Sequence, residues 1–272
     1  MTKPTQAASS PPHPLAHLLR VALRPVVRVF RWLLPHVHGL YRAFGLFLLV
    51  ALALGLACVW LFGELAEGVM AGSTKSFDEG VLRWMNQHSS PGLDRITLQI
   101  TSIGNGATVV VIALLLGAFL WAMRYRLAVA LLFVSLVGAN LIHVVLKLTF
   151  DRPRPELFVL QTPFARPMSA SFPSGHATAA MVLYLVVGYL LGRLGGKGWF
   201  RFWANFGAGV LILAIGASRM YLGVHYPSDV IAGYLMGFGW VTICIFGIEA
   251  VQVVRGRSRL RDLNLPGRLG QP

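Results

Sequence analysis

The sequence predicts an all-α, polytopic membrane protein, and three observations carry that expectation. Of 272 residues, 56% are hydrophobic and only 12% charged, about half the ~25% charged share of a soluble domain. Six apolar stretches contain no Asp, Glu, Lys or Arg. The excess of Lys+Arg, 24, over Asp+Glu, 10, gathers mostly at one end of those stretches. This hydrophobicity excludes a disordered chain. A net charge of +14 would suit a nucleic-acid binder, but the polar surface such a protein needs is missing, so no nucleic-acid partner is expected.

A helix crosses the hydrocarbon core with about 20 apolar residues. The stretches 43–62, 106–123, 127–146, 177–192, 202–218 and 230–248 meet or approach that length. The fourth and fifth are short and should extend by a few polar residues. Six spans place both termini on one side. The N-terminal segment, the turns at 124–126 and 193–201 and the C-terminal tail hold sixteen of the 24 basic residues. By the positive-inside rule those segments are cytoplasmic, and 63–105, 147–173 and 218–229 face outward. Cys58 and Cys244 fall within spans, lack metal-ligand spacing and read as packing residues. No cleavable signal peptide is expected, because the first apolar run begins after 42 residues and is too long for one.

The expected organisation is a basic cytoplasmic tail and interfacial segment (1–42), a six-helix membrane domain (43–251) and a basic cytoplasmic tail (252–272). Within 15–38, Arg20, Arg24, Arg28 and Arg31 share one helical face opposite apolar residues. Such a segment suits the headgroups of anionic lipids at the cytoplasmic face; a simple topogenic flank fits equally. Phe77, Val81, Trp84, Met85 and His88 stand at helical spacing and predict a short amphipathic helix on the outer surface. Pro91-Gly92 ends it, and 93–104 leads into the second span.

Three clusters of ionisable residues lie at the outward ends of spans, where their cost makes function the default reading. Lys147, Asp151, Arg152, Pro153, Arg154 and Pro155 form a rigid cationic loop after the third span. Ser171-Phe172-Pro173-Ser174-Gly175-His176 opens the fourth span with unpaired N–H groups at a helix N-terminus, an anion site in kind. Ser218, Arg219, Tyr221, His225 and Asp229 connect the fifth and sixth spans. Four residues apart, His225 and Asp229 can share a hydrogen bond that fixes the imidazole tautomer and frees its other nitrogen. Taken singly, each cluster also fits a loop, a helix cap or a satisfied histidine. A metal site would not want this ring of cations, and a Ser-His-Asp esterase built on Ser174 would not need it. A phosphoryl group uses the whole inventory.

The clusters resemble the three signature motifs of the type-2 phosphatidic acid phosphatase (PAP2) superfamily. Its Lys-x6-Arg-Pro stands as Lys147…Arg154-Pro155, its Pro-Ser-Gly-His as Pro173–His176, and its Ser-Arg-x5-His-x3-Asp as Ser218-Arg219…His225…Asp229. The resemblance implies that His225 attacks phosphorus, Asp229 orients it and His176 serves as acid and then base. Lys147, Arg154, Arg219, Ser174 and Gly175 would hold the phosphate oxygens, with no metal or other cofactor. Arg152 is left to pair with Asp151 or to reach the second phosphate of a diphosphate. His143 and Asn140 would contact a headgroup or bond between helices.

The implied activity is hydrolysis of a lipid phosphate or diphosphate (polyprenyl diphosphate, phosphatidylglycerol phosphate or phosphatidate) at the outer face of a bacterial inner membrane. A phosphotransferase using the same phosphohistidine stays open, and a non-catalytic lipid transporter or scaffold is disfavoured by the intact His176, His225 and Asp229.

Overall fold

The computed structural model describes residues 49–50, 52–157, 169–195 and 198–254, all within one compact unit. The expected interfacial segment at 15–38, and nearly all of the tails 1–42 and 252–272, lie outside the described residues. Every regular element described is helical: α1 (Leu52–Met70), α2 (Lys75–Gln87), α3 (Pro91–Ile103), α4 (Gly106–Ala122), α5 (Arg126–Phe150), α6 (Gly175–Leu194), α7 (Gly198–Tyr221) and α8 (Pro227–Val254). By length and apolarity α1, α5, α6, α7 and α8 can each cross a membrane; α3 and α4, bent by 49° at their junction, make a sixth span if taken together.

The observed helices overrun the apolar stretches. The first, expected over 43–62, continues to Met70 through the exposed Glu64 and Glu67, because Ala66 and Val69 on the same helix pack into a cluster with Phe172 and Ala232. The third runs on to Phe150 and includes Lys147, ending where Asp151 turns left-handed at φ 33°. The fifth begins at Gly198 and ends at Tyr221, and the sixth starts at Pro227. Charged residues that close an apolar run do not close a helix, since the backbone ladder continues until a turn residue or a lost donor stops it. The expected lead-in at 93–104 lies in a capped helix of its own, α3, which starts at Pro91, with Ser90 accepting from the Leu93 N–H at 3.4 Å and a proline at the first turn.

The most enclosed helix is α6, which packs against α4, α5, α7 and α8 and buries Val182, Leu183 and Val186 completely. Around it Val111, Leu115, Val145, Leu148, Phe206 and Leu213 are exposed, an apolar exterior that suits lipid rather than water. Close helix approach depends on small residues. At Gly233 of α8 an added Cβ would lie 2.7 Å from the Ser174 carbonyl oxygen, so glycine is what lets α8 carry Asp229 against the start of α6. The packing of α8 against α6 thus brings the second and third sequence clusters together.

Candidate active site

The three clusters converge at one end of the bundle, each delivered by a helix terminus. Lys147 sits in the last turn of α5, Gly175 and His176 open α6, Arg219 lies in the last turn of α7, and Asp229 in the first turn of α8. Backbone bonds tie them: Ser174 N–H donates to Asp229 O at 2.9 Å, and Ser171 N–H to Arg152 O at 2.7 Å. Phe172, fully buried against Phe62 and Phe150, anchors the loop that carries Ser171 and Ser174.

His225, 2% exposed, stands at the centre. Its Nδ1 lies 3.5 Å from Asp229 Oδ2 and 3.4 Å from Ser171 Oγ, and its Nε2 lies 3.2 Å from Arg154 Nη1. An ionised carboxylate only accepts and a guanidinium only donates, so the pattern assigns the proton to Nδ1 and leaves a lone pair on Nε2. Burial, the largest cause, together with Arg154 and Arg219, pushes the His225 pKa down to about 4 against the pull of Asp229. At neutral pH the ring is therefore uncharged and its Nε2 can act as a nucleophile.

Asp229, wholly buried, is held on both oxygens. Oδ1 accepts from Arg152 Nη1 at 2.6 Å; Oδ2 accepts from the Tyr226 N–H at 2.8 Å and from the Ser171 hydroxyl. Arg154 reaches across the opening: Nη1 donates to Val224 O at 2.7 Å, Nε to Ser169 O at 2.9 Å and Nη2 to Ser169 Oγ at 3.2 Å. Lys147 Nζ meets the same Ser169 Oγ at 3.0 Å. Arg219, 8% exposed, gives Nη1 to Thr101 Oγ1 at 2.8 Å, while its Nε is buried with no partner. Lys147 feels the fields of Arg154, Asp229 and Arg219, and His176 those of Arg219, His225, Arg154 and Lys147. Three cations thus gather around the His225–Asp229 pair, and an unpaired buried guanidinium N–H is costly until an anion joins it.

Ser174 is fully buried and caps α6, its Oγ accepting from Ala177 N–H at 3.5 Å. Gly175 needs to be small: an added Cβ would lie 3.1 Å from the His143 ring. His176 is half-buried and borders a cavity of about 570 Å³ between α4, α5 and α6. Val109, Ala113, Leu136, Val137 and Val182 help to line it, and Asn140 and His143 are among its few polar neighbours. Its apolar lining suits a hydrocarbon chain.

Arg152 corrects the sequence reading. It pairs with Asp229 and with Asp78 of α2, at 2.9 Å, rather than with Asp151, and its guanidinium lies 4.2 Å from the Tyr226 ring centroid. Both of its terminal nitrogens are thus engaged by groups of the protein. Sequence reasoning also missed Asp78, Thr101 and Ser169, and gave Ser171 and Ser228 no role. One signal for Asp78 was present: on α2 it falls in register with Leu82 and Met85, the face that is buried, whereas Phe77 and Trp84 are each 58% exposed. Among the described residues no group of three or more His, Cys, Asp or Glu is placed to hold a metal ion.

Residues 128–250 match the family model of the PAP2 superfamily. The chain is 29% identical over 174 residues to phosphatidylglycerophosphatase B of Bacillus subtilis (strain 168), covering 64% of this chain and 84% of that protein. It is 32% identical over 130 residues to an undecaprenyl-diphosphatase of Sulfolobus acidocaldarius, covering 46% of this chain and only 56% of that one. The crystal structure of a transmembrane PAP2-type phosphatidylglycerolphosphate phosphatase from Bacillus subtilis superposes with a TM-score of 0.64 at 26% identity, over 70% of this chain and 94% of that chain.

Proposed function

We propose, for an integral-membrane phosphatase whose residues 128–250 match the PAP2 superfamily, a metal-independent hydrolysis of lipid phosphates through a phosphohistidine on His225. The observation that carries this reading is the arrangement of His225: Asp229 lies 3.5 Å from Nδ1 and the Arg154 guanidinium 3.2 Å from Nε2. In the first step the Nε2 lone pair attacks phosphorus in line; the N–P bond forms as the bond to the lipid oxygen breaks. His176, protonated once the bound phosphate offsets the cations beside it, donates a proton to that oxygen and the lipid alcohol leaves. In the second step His176 takes a proton from water, the oxygen attacks phosphorus, and the N–P bond breaks to release inorganic phosphate. Lys147, Arg154 and Arg219, with the Gly175 N–H at the α6 N-terminus, hold the non-bridging oxygens and stabilise the charge they gain. Ser174 supports that cradle by capping α6.

The apolar cavity beside His176 suits a substrate whose chain stays in lipid while its phosphate reaches the cations. Phosphatidylglycerol phosphate, phosphatidate and polyprenyl diphosphate all meet that description. The charge asymmetry of the sequence supports cytoplasmic termini and a site on the outer face of a bacterial inner membrane. The test is phosphate release from a panel of lipid mono- and diphosphates by protein in detergent, with and without chelator and with no acceptor present. Release unaffected by chelator is expected. Release that requires an added lipid or sugar acceptor points to a phosphotransferase, and release abolished by chelator contradicts the metal-independent chemistry.

A further inference from the structure

Asp78 is an acidic residue on the inward face of a surface helix, and it is completely buried. Burial of a carboxylate is costly unless its oxygens are satisfied by charge and hydrogen bonds. Here they are: Oδ1 accepts from the Ser228 N–H at 3.0 Å, and Oδ2 from the Ser228 hydroxyl at 2.6 Å and from Arg152 Nη2 at 2.9 Å. Ser228 is the second residue of α8, so Asp78 caps the helix whose next residue is Asp229. The other arm of the same guanidinium, Nη1, donates to Asp229 Oδ1 at 2.6 Å and to Ser228 Oγ at 2.8 Å.

We propose that Asp78 is a positioning residue for the His225–Asp229 pair, acting through Arg152 and the first turn of α8. The inference rests on the phosphohistidine reading above. The guanidinium sits between two carboxylates, one of which belongs to the pair. With Oδ1 fixed by Arg152 and Oδ2 by the Tyr226 N–H, Asp229 has one orientation, and in it Oδ2 faces His225 Nδ1. Asp78 shares the Arg152 charge. Without that sharing Arg152 acts on Asp229 alone and draws carboxylate charge away from the ring that must become a phosphohistidine. Asp78 contacts none of Lys147, Arg154 or Arg219, so its loss slows the attack while leaving substrate binding intact.

The substitution that isolates this role is Asp78→Asn, which keeps an acceptor for the Ser228 N–H and removes the charge. Purified protein in micelles is mixed with a lipid phosphate it hydrolyses, and phosphoenzyme formation is followed by rapid quench. The expected result is a rate constant lower by about tenfold to a hundredfold, the order that misplacement of a reacting group produces, with an unchanged half-saturating substrate concentration for that rate constant. In an Arg152→Gln background Asp78→Asn adds no further loss, as befits residues acting as a unit. Ser228→Ala, which removes only the hydroxyl shared by Asp78 and Arg152, gives a smaller drop in the same rate constant and serves if Asp78→Asn does not fold. A lowered amplitude with a wild-type rate constant, additive losses with Arg152→Gln, or a wild-type rate constant in Ser228→Ala overturns the inference: Asp78 would then only staple α2 to the bundle. A wild-type enzyme that hydrolyses lipid phosphate without forming phosphoenzyme, or a His225→Ala variant that still forms it, overturns the phosphohistidine reading and this inference with it.

Discussion

Both ends of the α6–α8 pair contain an arginine–carboxylate cluster, and the two differ in what they leave unpaired. At the end away from the motifs, Arg193 of α6 pairs with Glu249 of α8, and Tyr189 donates to the same carboxylate at 2.6 Å. The pair is about one-third exposed on each side, at 32% and 29%, and its charges cancel. At the motif end, one guanidinium serves two carboxylates that are both wholly buried, and Lys147, Arg154 and Arg219 stand close by with a single carboxylate, Asp229, among them. The first cluster is complete and ties two helices. The second has positive charge to spare around an uncharged imidazole, which is the condition for binding and attacking a phosphate.

The sharpest way to break this contrast is at His225, the proposed nucleophile. His225→Ala should lower phosphate release by roughly a thousandfold or more, the scale on which loss of a nucleophile acts in acyl-transfer enzymes. Activity within tenfold of wild type would remove His225 from the chemistry. Next in size are the surplus cations. Arg154→Ala should reduce kcat by about a hundredfold, as loss of one preorganised donor to a developing oxyanion does; steady-state kinetics in micelles reports it. Equal losses for a neutral substitution at either end of the bundle would dissolve the comparison.

The pH response of His225 follows with a smaller effect. Its folded pKa, about 4, is below the ordinary value near 6.5. Between those pH values the unfolded chain binds a proton that the folded site refuses. Stability contributed by the neutral ring is therefore full above about pH 6.5, falls with pH through that window and levels off below about pH 4. Ring resonances of His225, assigned by comparison with His225→Gln, should stay those of a neutral imidazole down to about pH 4; titration near pH 6.5 would contradict the burial argument. The smallest effect belongs to the complete cluster. Glu249→Gln should cost at most about 1 kcal/mol, as expected for a solvent-screened pair, lowering the melting temperature slightly with kcat/KM unchanged.

Much of the site was legible because the motifs consist of residue types with few other uses at the ends of apolar spans. His225 with Asp229, His176, Gly175 and the three cations come from three short segments whose spacing is local. What the sequence hid is long-range. Asp78 reaches Arg152 across 74 residues and Ser228 across 150, and on α2 it looked like the polar side of a surface helix. Arg152 was ambiguous for the same reason, since its partners lie on helices that no local pattern brings together. The spans themselves were found but their ends were not: the helices that carry Lys147 and Arg219 outlast the apolar runs that announce them. The bend at 104–105, which divides one expected lead-in and span into α3 and α4, is a packing feature, with Ile215 occupying the space a Cβ at Gly104 would need.

The most direct measurement is to trap the intermediate. Protein supplied with a lipid phosphate labelled on phosphorus, quenched in base where phosphohistidine survives, should carry label that maps to the peptide containing His225 and disappears in His225→Ala. Label on His176, on a serine such as Ser174, or on His225-deficient protein would contradict the assignment of His225 as the nucleophile.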